Sequence, residues 1–243
     1  MTRKEAVDFL ITKPYLLGHA LGFNKLTELH NKWIVNMITD TNDKSLMAHR
    51  ASYKSTCVSI ALAIIILLFP NKRTLFMRKT DNDVREIVKQ VQNILRNPYI
   101  IYFVNCIYGV NLKLDVSSST EIKTNLTTDL KGTPQLVGIG TSASLTGKHF
   151  DFIFTDDIIN VNDRVSRAER ERTKIVYQEL QNIKNRDGRI FANLKMCWNR
   201  FIKRTKKERL FHTVWGIAIT HLSFGWCFIK SFAMVRWQTE NSI

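Results

Sequence analysis

The chain has 243 residues and a net charge of +15, from 36 lysines and arginines against 21 aspartates and glutamates. Its four cysteines have no CxxC spacing, which excludes a cysteine-based zinc site and predicts reduced thiols in a cytoplasmic protein. Apolar residues make up 44% of the sequence, enough for a substantial core, and the basic charge favours a polyanionic partner such as nucleic acid.

Residues 1–43 predict a helical lead-in to the core. Residues 1–13 mix charged and apolar side chains and show no signal-peptide pattern. Helices are expected from Arg3 to Ile11 and from Asn24 to Ile38, where apolar residues recur at helical spacing. A polar loop then leads into the first strand.

The next segment has the order strand, tight loop and buried helix. A short apolar run, Leu46-Met47-Ala48, precedes the loop, and a longer apolar run from Val58 to Phe69 follows it. The longer run is too short to span a bilayer, which favours a helix buried against a sheet. Lys54 and Ser55 fall where a phosphate-binding loop places its Lys-Ser/Thr pair, so they would contact phosphate and magnesium respectively.

This loop departs from the double-glycine pattern of phosphate-binding loops. Ala48 and Tyr53 occupy the two positions where that pattern has glycine. A Lys-Ser pair at the start of a helix can also be a solvated lysine without a ligand. Both interpretations of Lys54 remain open on this segment alone.

Strands and one helix are expected over the middle of the chain. Arg73 to Arg78 predicts a second strand, and Thr80 is expected to cap a strongly periodic helix after it. Tyr99 to Val110 and Asn111 to Thr124 are rich in Ile, Val, Tyr and Thr, which predicts short strands. Residues 135–140 continue that pattern into a Ser/Thr/Gly loop.

The stretch from Phe150 to Asp157 predicts a hydrophobic strand that ends in two carboxylates. In an NTPase, Asp156 would orient hydrated magnesium and Asp157 would polarise the attacking water. The alternative is an ordinary strand ending in an Asp-rich turn. Because both motifs follow a strand, we expect Lys54 and Asp156 at adjacent strand ends of a parallel sheet, close enough to share one Mg-nucleotide.

One more helix and one more strand are predicted before the composition changes. Ser166 begins a Ser-x-x-Glu capping box, which opens a helix that runs to about Asn185. The arginines of this helix are expected on a solvated face. Asp187-Gly188 predicts a turn into a strand that begins at Arg189.

Three motifs together resemble the ATPase of a tailed-phage large terminase: Arg50-x-x-x-Lys54-Ser55-Thr56, Leu145-Thr146-Gly147-Lys148, and Phe152 to Asp157 followed by Ser166. The resemblance covers roughly residues 24–191. In that family the phosphate loop often lacks the double glycine and begins with an arginine, as it does here. The resemblance implies an α/β P-loop NTPase fold with a central, mainly parallel sheet flanked by helices.

The resemblance also implies roles for individual residues. Magnesium would be held by Ser55 and Asp156. Catalysis would use Asp157, in place of the usual glutamate, and Arg50, near the γ-phosphate. ATP would be bound by the loop residues Arg50, Ala51, Ser52, Tyr53, Lys54, Ser55 and Thr56. Residues 44–193 would form this P-loop ATPase core.

The resemblance implies an ATP-driven motor that packages double-stranded DNA in the cytoplasm of a bacterial host. A portal, a small terminase subunit and further copies of the chain on the portal are its implied partners. Two alternatives remain, a helicase-like P-loop ATPase of another family and a degenerate prophage remnant that binds nucleotide or DNA without ATPase activity.

Residues 194–243 form an atypical tail with nine basic and two acidic residues and four of the five tryptophans. The family's nuclease half has no counterpart there, since only Glu208 and Glu240 are acidic, so no endonuclease activity is expected. The chain is therefore expected to be truncated, and a frameshift is one explanation of the tail. Val214 to Met234 reaches the length of a membrane span, but its polar residues favour a sticky soluble segment over an anchor.

Overall fold

The computed structural model describes residues 1–49, 51–130, 132–143, 147–159, 163 and 165–195. The strands are β1 (Lys44–Ala48), β2 (Thr74–Arg78), β3 (Leu114–Ser117), β4 (Glu121–Thr124), β5 (Leu136–Gly140), β6 (Phe150–Asp156) and β7 (Lys184–Lys195). The helices are α1 (Arg3–Thr12), α2 (Pro14–Ala20), α3 (Glu28–Thr39), α4 (Lys54–Leu68), α5 (Asp81–Leu95), α6 (Pro98–Tyr108) and α7 (Arg167–Ile183).

The strands form one seven-stranded sheet in the order β1-β7-β6-β2-β5-β4-β3. The first five strands in this order are parallel to their neighbours, and β4 and β3 extend the sheet in antiparallel fashion. Parallel strands need crossover connections, which the helices supply. The predicted α/β class with a mainly parallel sheet is confirmed.

Strand β2 shows how the sheet separates two hydrophobic cores. Phe76 packs on the face that is covered by helices including α4 and α5. Leu75 and Met77 point to the other face, where they pack in one cluster with Leu180 of α7. This alternation follows from the two-residue period of a strand, and burial on both faces explains the continuous apolar runs in the sequence.

Helix α4 is the centre of the larger core. Every residue from Cys57 to Leu67 is buried, which is expected for a helix that is apolar on all sides. The predicted helix after the phosphate loop is therefore confirmed. No helix in the described part of the chain is long and apolar enough to cross a membrane.

The N-terminal helices pack into the same core as α4. Thr2 and Glu5 form a reciprocal capping box at the start of α1, and Ala6 and Leu10 on its inner face are fully buried. The two predicted helices in this region correspond to α1 and α3. Helix α2 was not predicted, because its seven residues are too few to show a periodic pattern.

The prediction of a strand over residues 99–110 is wrong, because these residues lie in helix α6. Asn97 caps the helix by accepting a hydrogen bond from the Tyr99 backbone N–H, and the helix ends at Gly109, where φ is 69°. The buried side chains recur every three or four residues, namely Ile100, Phe103, Val104 and Ile107. Their β-branched and aromatic composition hid this helical period. Strands β3 and β4 lie within the next predicted range.

The predicted turn at Asp187-Gly188 is also wrong. Helix α7 ends at Ile183, two residues before the predicted end, and β7 begins at the next residue and continues through the Asp-Gly pair. A Cβ on Gly188 would lie 2.9 Å from the carbonyl oxygen of Asp151 on β6, beside a register shift between the two strands. Gly188 lies in a bulge of β7, since the step from Lys184 to Arg189 faces only the step from Phe150 to Phe152, and glycine there allows a close approach of the two backbones.

Candidate nucleotide and magnesium site

The loop between β1 and α4 has a left-handed backbone at two residues that are not glycine. The φ angle is 63° at Ala51 and 54° at Tyr53, the residue directly before Lys54. Tyr53 stands where phosphate-binding loops have a glycine, and its backbone adopts the conformation that favours glycine. The loop therefore has the expected shape despite the substituted sequence, at a cost in conformational strain.

Replacing Ala51 with glycine is expected to stabilise the protein by about 1 kcal/mol, because glycine adopts a positive φ without the Cβ penalty. Ala51 is exposed, so the lost methyl group removes little buried area. Urea unfolding of the full chain measures the change. The same substitution at Ala63, buried in α4, should instead destabilise by about 1 kcal/mol or more. A destabilised Ala51→Gly variant would contradict the strain argument.

The start of α4 is suited to bind an anion. In the part of the chain that the structure describes, no side chain caps this helix end, and the first intrahelical bond runs from the Cys57 N–H to the Tyr53 carbonyl. The first N–H groups of a helix and its dipole attract negative charge. A cavity of about 440 Å³ lies in front of them, lined by residues 51–56 with Arg78 and Asp157.

The structure brings the predicted lysine, serine and carboxylates together. The Ser55 hydroxyl donates a 2.8 Å hydrogen bond to Oδ2 of Asp156, which is fully buried. Lys54 is also buried, and its Nζ lies 3.7 Å from Oδ1 of Asp157. These contacts join the start of α4 to the end of β6, about a hundred residues later in the chain.

The expectation that Lys54 and Asp156 lie at adjacent strand ends is corrected by the sheet order. Strand β7 lies between β1 and β6. Its Asn193 donates a 2.9 Å hydrogen bond through Nδ2 to Oδ1 of Asp156, and its carbonyl accepts from the Asp157 backbone N–H at 3.2 Å. Asn193 is therefore a buried part of the site that the sequence reasoning missed.

Arg78, the last residue of β2, is the second residue that was missed. Its Nε and Nη2 donate to Oδ2 of Asp156 at 2.9 and 2.6 Å, and Nη2 also donates to the Ser55 hydroxyl at 2.9 Å. Arg78 follows the apolar centre of a strand that neighbours β6, and parallel strands place their carboxyl ends at one edge. A polar residue at the carboxyl end of another parallel strand was therefore the signal in the sequence that could have identified Arg78.

His30 of α3 contacts the loop between β1 and α4. Its Nδ1 accepts a 3.0 Å hydrogen bond from the Thr27 backbone N–H, which leaves the proton on the other ring nitrogen, facing the Ser52 carbonyl. The ring also packs edge-on against Tyr53 and Trp33. Burial lowers the pKa of His30 below its ordinary value of 6.5, and the contact with the Ser52 carbonyl opposes this in part. The loop thus packs against a neutral imidazole.

This lowered pKa predicts a loss of stability in mild acid. His30 is protonated more readily in the unfolded chain than in the folded chain. The contribution of the neutral imidazole to folding stability is therefore fully present above pH 6.5 and is lost as pH falls through the pKa of His30 in the folded protein. Thermal unfolding between pH 7.5 and 5 should show this loss. His30→Asn keeps an acceptor for Thr27 and cannot titrate, so its profile should be flatter. If the variant and the unmodified chain lost stability identically as pH falls, other histidines would be responsible for the loss.

The ligand set at Ser55 and Asp156 fits magnesium. Mg²⁺ prefers oxygen ligands at about 2.0–2.1 Å in octahedral geometry, which places neighbouring ligand oxygens about 2.9 Å apart. Ser55 Oγ and Asp156 Oδ2 are 2.8 Å apart, which is the length of the hydrogen bond between them, so this spacing is compatible with Mg²⁺ but does not select it. No group of three or more His, Cys, Asp and Glu residues in the described ranges could hold a metal ion by itself. A magnesium ion here would therefore share its remaining ligands with phosphate and water.

Comparison with known proteins gave matches among solved structures only. No protein-family model and no curated protein matches the sequence. The chain is similar to a terminase ATPase domain. Two of the matching structures are the large terminase ATPase domain of Thermus phage P74-26 and a single-residue mutant of it, with 14% and 13% identity and a TM-score of 0.42 for both. The matches cover 68% of this chain and 64% of the terminase domain.

Some residues of the terminase-like motifs lie outside the described residues. These are Arg50, Leu145 and Thr146, and the same holds for the tail from residue 196 onward, including the predicted apolar stretch Val214 to Met234. Gly147 has a positive φ of 75°, and Lys148 beside it is exposed. The contacts of Asp156 with Ser55 and Arg78, and not the distant terminase similarity, define the site.

Proposed function

We propose that this chain is a P-loop ATPase that hydrolyses ATP with magnesium at the start of α4. The observation that carries the proposal is the 2.8 Å hydrogen bond between Ser55, in the first turn of α4, and the buried Asp156 at the end of β6. Lys54 lies at the same helix end, beside Asp157. A loop lysine, a hydroxyl and two strand-end carboxylates are the groups that phosphoryl transfer requires.

Phosphate binding is the role of the loop and the α4 N-terminus. Residues 51–56 line the cavity, and the N–H groups and dipole of the α4 N-terminus would attract phosphate oxygens. The Lys54 ammonium is held in place by burial, so it loses little freedom when it pairs with the outer phosphates. This arrangement places positive charge where negative charge develops in the reaction.

Ser55 and Asp156 would hold magnesium. When bound there, Mg²⁺ would neutralise phosphate charge in the transition state. Asp156 is fully buried, and its position is fixed by bonds from Ser55, Arg78 and Asn193. Burial and the bond from Asn193 hold the carboxylate at the end of β6.

Asp157 is the proposed group that orients and deprotonates the attacking water. Its side chain lines the cavity and lies beside the Lys54 ammonium. Asn193, whose carbonyl accepts from the Asp157 backbone N–H, helps to hold Asp157 in this position. Arg50, whose role rests on the motif resemblance, is the proposed contact to the γ-phosphate.

The finer proposal is that ATP hydrolysis drives packaging of double-stranded DNA. It is supported by the motif resemblance to large terminases and by the net charge of +15. The proposed partners are double-stranded DNA, a portal, a small terminase subunit and further copies of this chain on the portal. The proposed location is the cytoplasm of the bacterial host.

Phosphate release from ATP by the purified full chain tests this function. Hydrolysis is expected with Mg²⁺, is expected to stop when EDTA removes the metal, and should be faster with double-stranded DNA. Heparin, a polyanion without bases, controls for nonspecific stimulation of a basic protein. Equal stimulation by heparin would leave an ATPase that does not respond to DNA as such. A chain that neither binds nor hydrolyses ATP would refute the ATPase proposal.

A further inference from the structure

Oδ2 of Asp156 has no acceptor position left for another ligand. A carboxylate offers about four hydrogen-bond acceptor positions on its two oxygens. Oδ2 receives the Ser55 hydroxyl and both Nε and Nη2 of Arg78, and Oδ1 receives Nδ2 of Asn193. The three donors on Oδ2 saturate that oxygen, whereas Oδ1 keeps one acceptor position. Any metal ion, or any metal-bound water, that contacts Oδ2 has to displace one of its three donors.

The donor that must leave is Arg78. Its Nη2 lies 2.6 Å from Asp156 Oδ2 and 2.9 Å from Ser55 Oγ, so it contacts the same two oxygens whose spacing fits magnesium. Ser55 is itself one of the two ligands, and Asn193 bonds the other carboxylate oxygen. A guanidinium and a metal ion that share these two oxygens would also repel each other strongly at this distance.

We propose that Arg78 is an internal cation that competes with Mg²⁺ for Ser55 and Asp156, and that it has to leave them before a metal-bound nucleotide can bind. This regulatory role rests on the proposed nucleotide site. Burial keeps the competitor in place, because only a small part of the Arg78 side chain is exposed and Asp156 is its charge partner. Arg78 lines the cavity, so a guanidinium that leaves Asp156 would be close to a phosphate bound there.

The competition predicts weak metal binding by the protein without nucleotide. Mn²⁺ serves as the probe, because it accepts oxygen ligands as Mg²⁺ does and is detected directly by electron paramagnetic resonance. Arg78→Met removes the three hydrogen bonds that the guanidinium donates to Asp156 and Ser55, and it keeps most of the apolar stem. We expect the full-length variant to bind Mn²⁺ at least about tenfold more tightly than the unmodified chain, with no nucleotide present.

Arg73→Met is the matched control, because Arg73 directly precedes β2 and lies at the opposite edge of the sheet. Its Mn²⁺ affinity should equal that of the unmodified chain. If Arg78→Met folds poorly without metal, Arg78→Lys serves instead. A lysine can keep one contact with Asp156 but cannot donate from two nitrogens as the guanidinium does. A smaller gain in Mn²⁺ affinity, of about threefold, is therefore expected. Unchanged or weaker Mn²⁺ binding in the Arg78 variant that folds overturns the proposal.

ATP hydrolysis by the same preparations separates this inference from the proposed function. If the unmodified chain hydrolyses ATP but the Arg78 variants gain no metal affinity, the competition is wrong and the ATPase stands. If the variants gain metal affinity but no preparation binds ATP, the competition is real and the nucleotide proposal is wrong.

Discussion

Replacing Lys54 with alanine is expected to lower ATP hydrolysis on the order of 10³-fold and to weaken ATP binding. The ammonium is buried at the start of α4, where it is the lysine positioned for the outer phosphates. Its loss removes charge stabilisation in a site where water cannot replace it. Phosphate release gives the first effect, and equilibrium binding of a fluorescent ATP analogue gives the second.

The control for this variant is Lys72→Ala. Lys72 is half exposed and pairs with Asp151 at the opposite edge of the sheet. An exposed ion pair contributes little to folding stability. The rate of ATP hydrolysis by this variant should therefore be within about twofold of the rate of the unmodified chain. Equal activities of the Lys54 and Lys72 variants would show that the β1–α4 loop is not the phosphate site.

The second large effect is expected on folding. Replacing Asp156 with alanine should reduce the free energy of unfolding by about 3–5 kcal/mol, because breaking one side of a buried ion pair leaves the other charge without a partner. Here the orphaned groups are the Arg78 guanidinium and the amide of Asn193. Urea unfolding, monitored by circular dichroism, measures the difference.

Asp115→Ala is the comparison variant, since Asp115 is an exposed aspartate on strand β3. Its stability should change by less than about 0.5 kcal/mol. A loss of only about 1 kcal/mol for Asp156→Ala would mean that Arg78 finds water or another acceptor once the carboxylate is gone. In that case the site would be more open than its burial indicates.

The local parts of the site could be predicted from sequence because each is carried by a contiguous segment. The loop before α4 and the strand that ends in Asp156 and Asp157 both show their character in a few residues. The sheet order is different, because it depends on which strands pair in space. Arg78 and Asn193 belong to the site only because β2 and β7 flank β6, and no local pattern reports that arrangement.

The errors in secondary structure have physical causes as well. Residues 99–108 contain the side chains that strands favour, yet a cap at Asn97 and burial on one helical face decide the outcome in favour of a helix. At Asp187-Gly188 the pair suggested a turn, but Gly188 accommodates the nearby backbone of β6. In both cases tertiary contacts override composition.

Strand β7 also has a mechanical consequence. It is twelve residues long, and it pairs with β6 through Asn193 and with β1 over its last five residues, with a bulge between Lys184 and Arg189. Its first residue is tied to Asp43, and its far end holds Asn193 in the site. A force along this strand acts on its backbone hydrogen bonds in shear, so several of them have to break together and not one after another. Tension on the segment from Arg189 to Lys195 therefore reaches Asp156 through Asn193, whereas tension at Lys184 would first straighten the bulge.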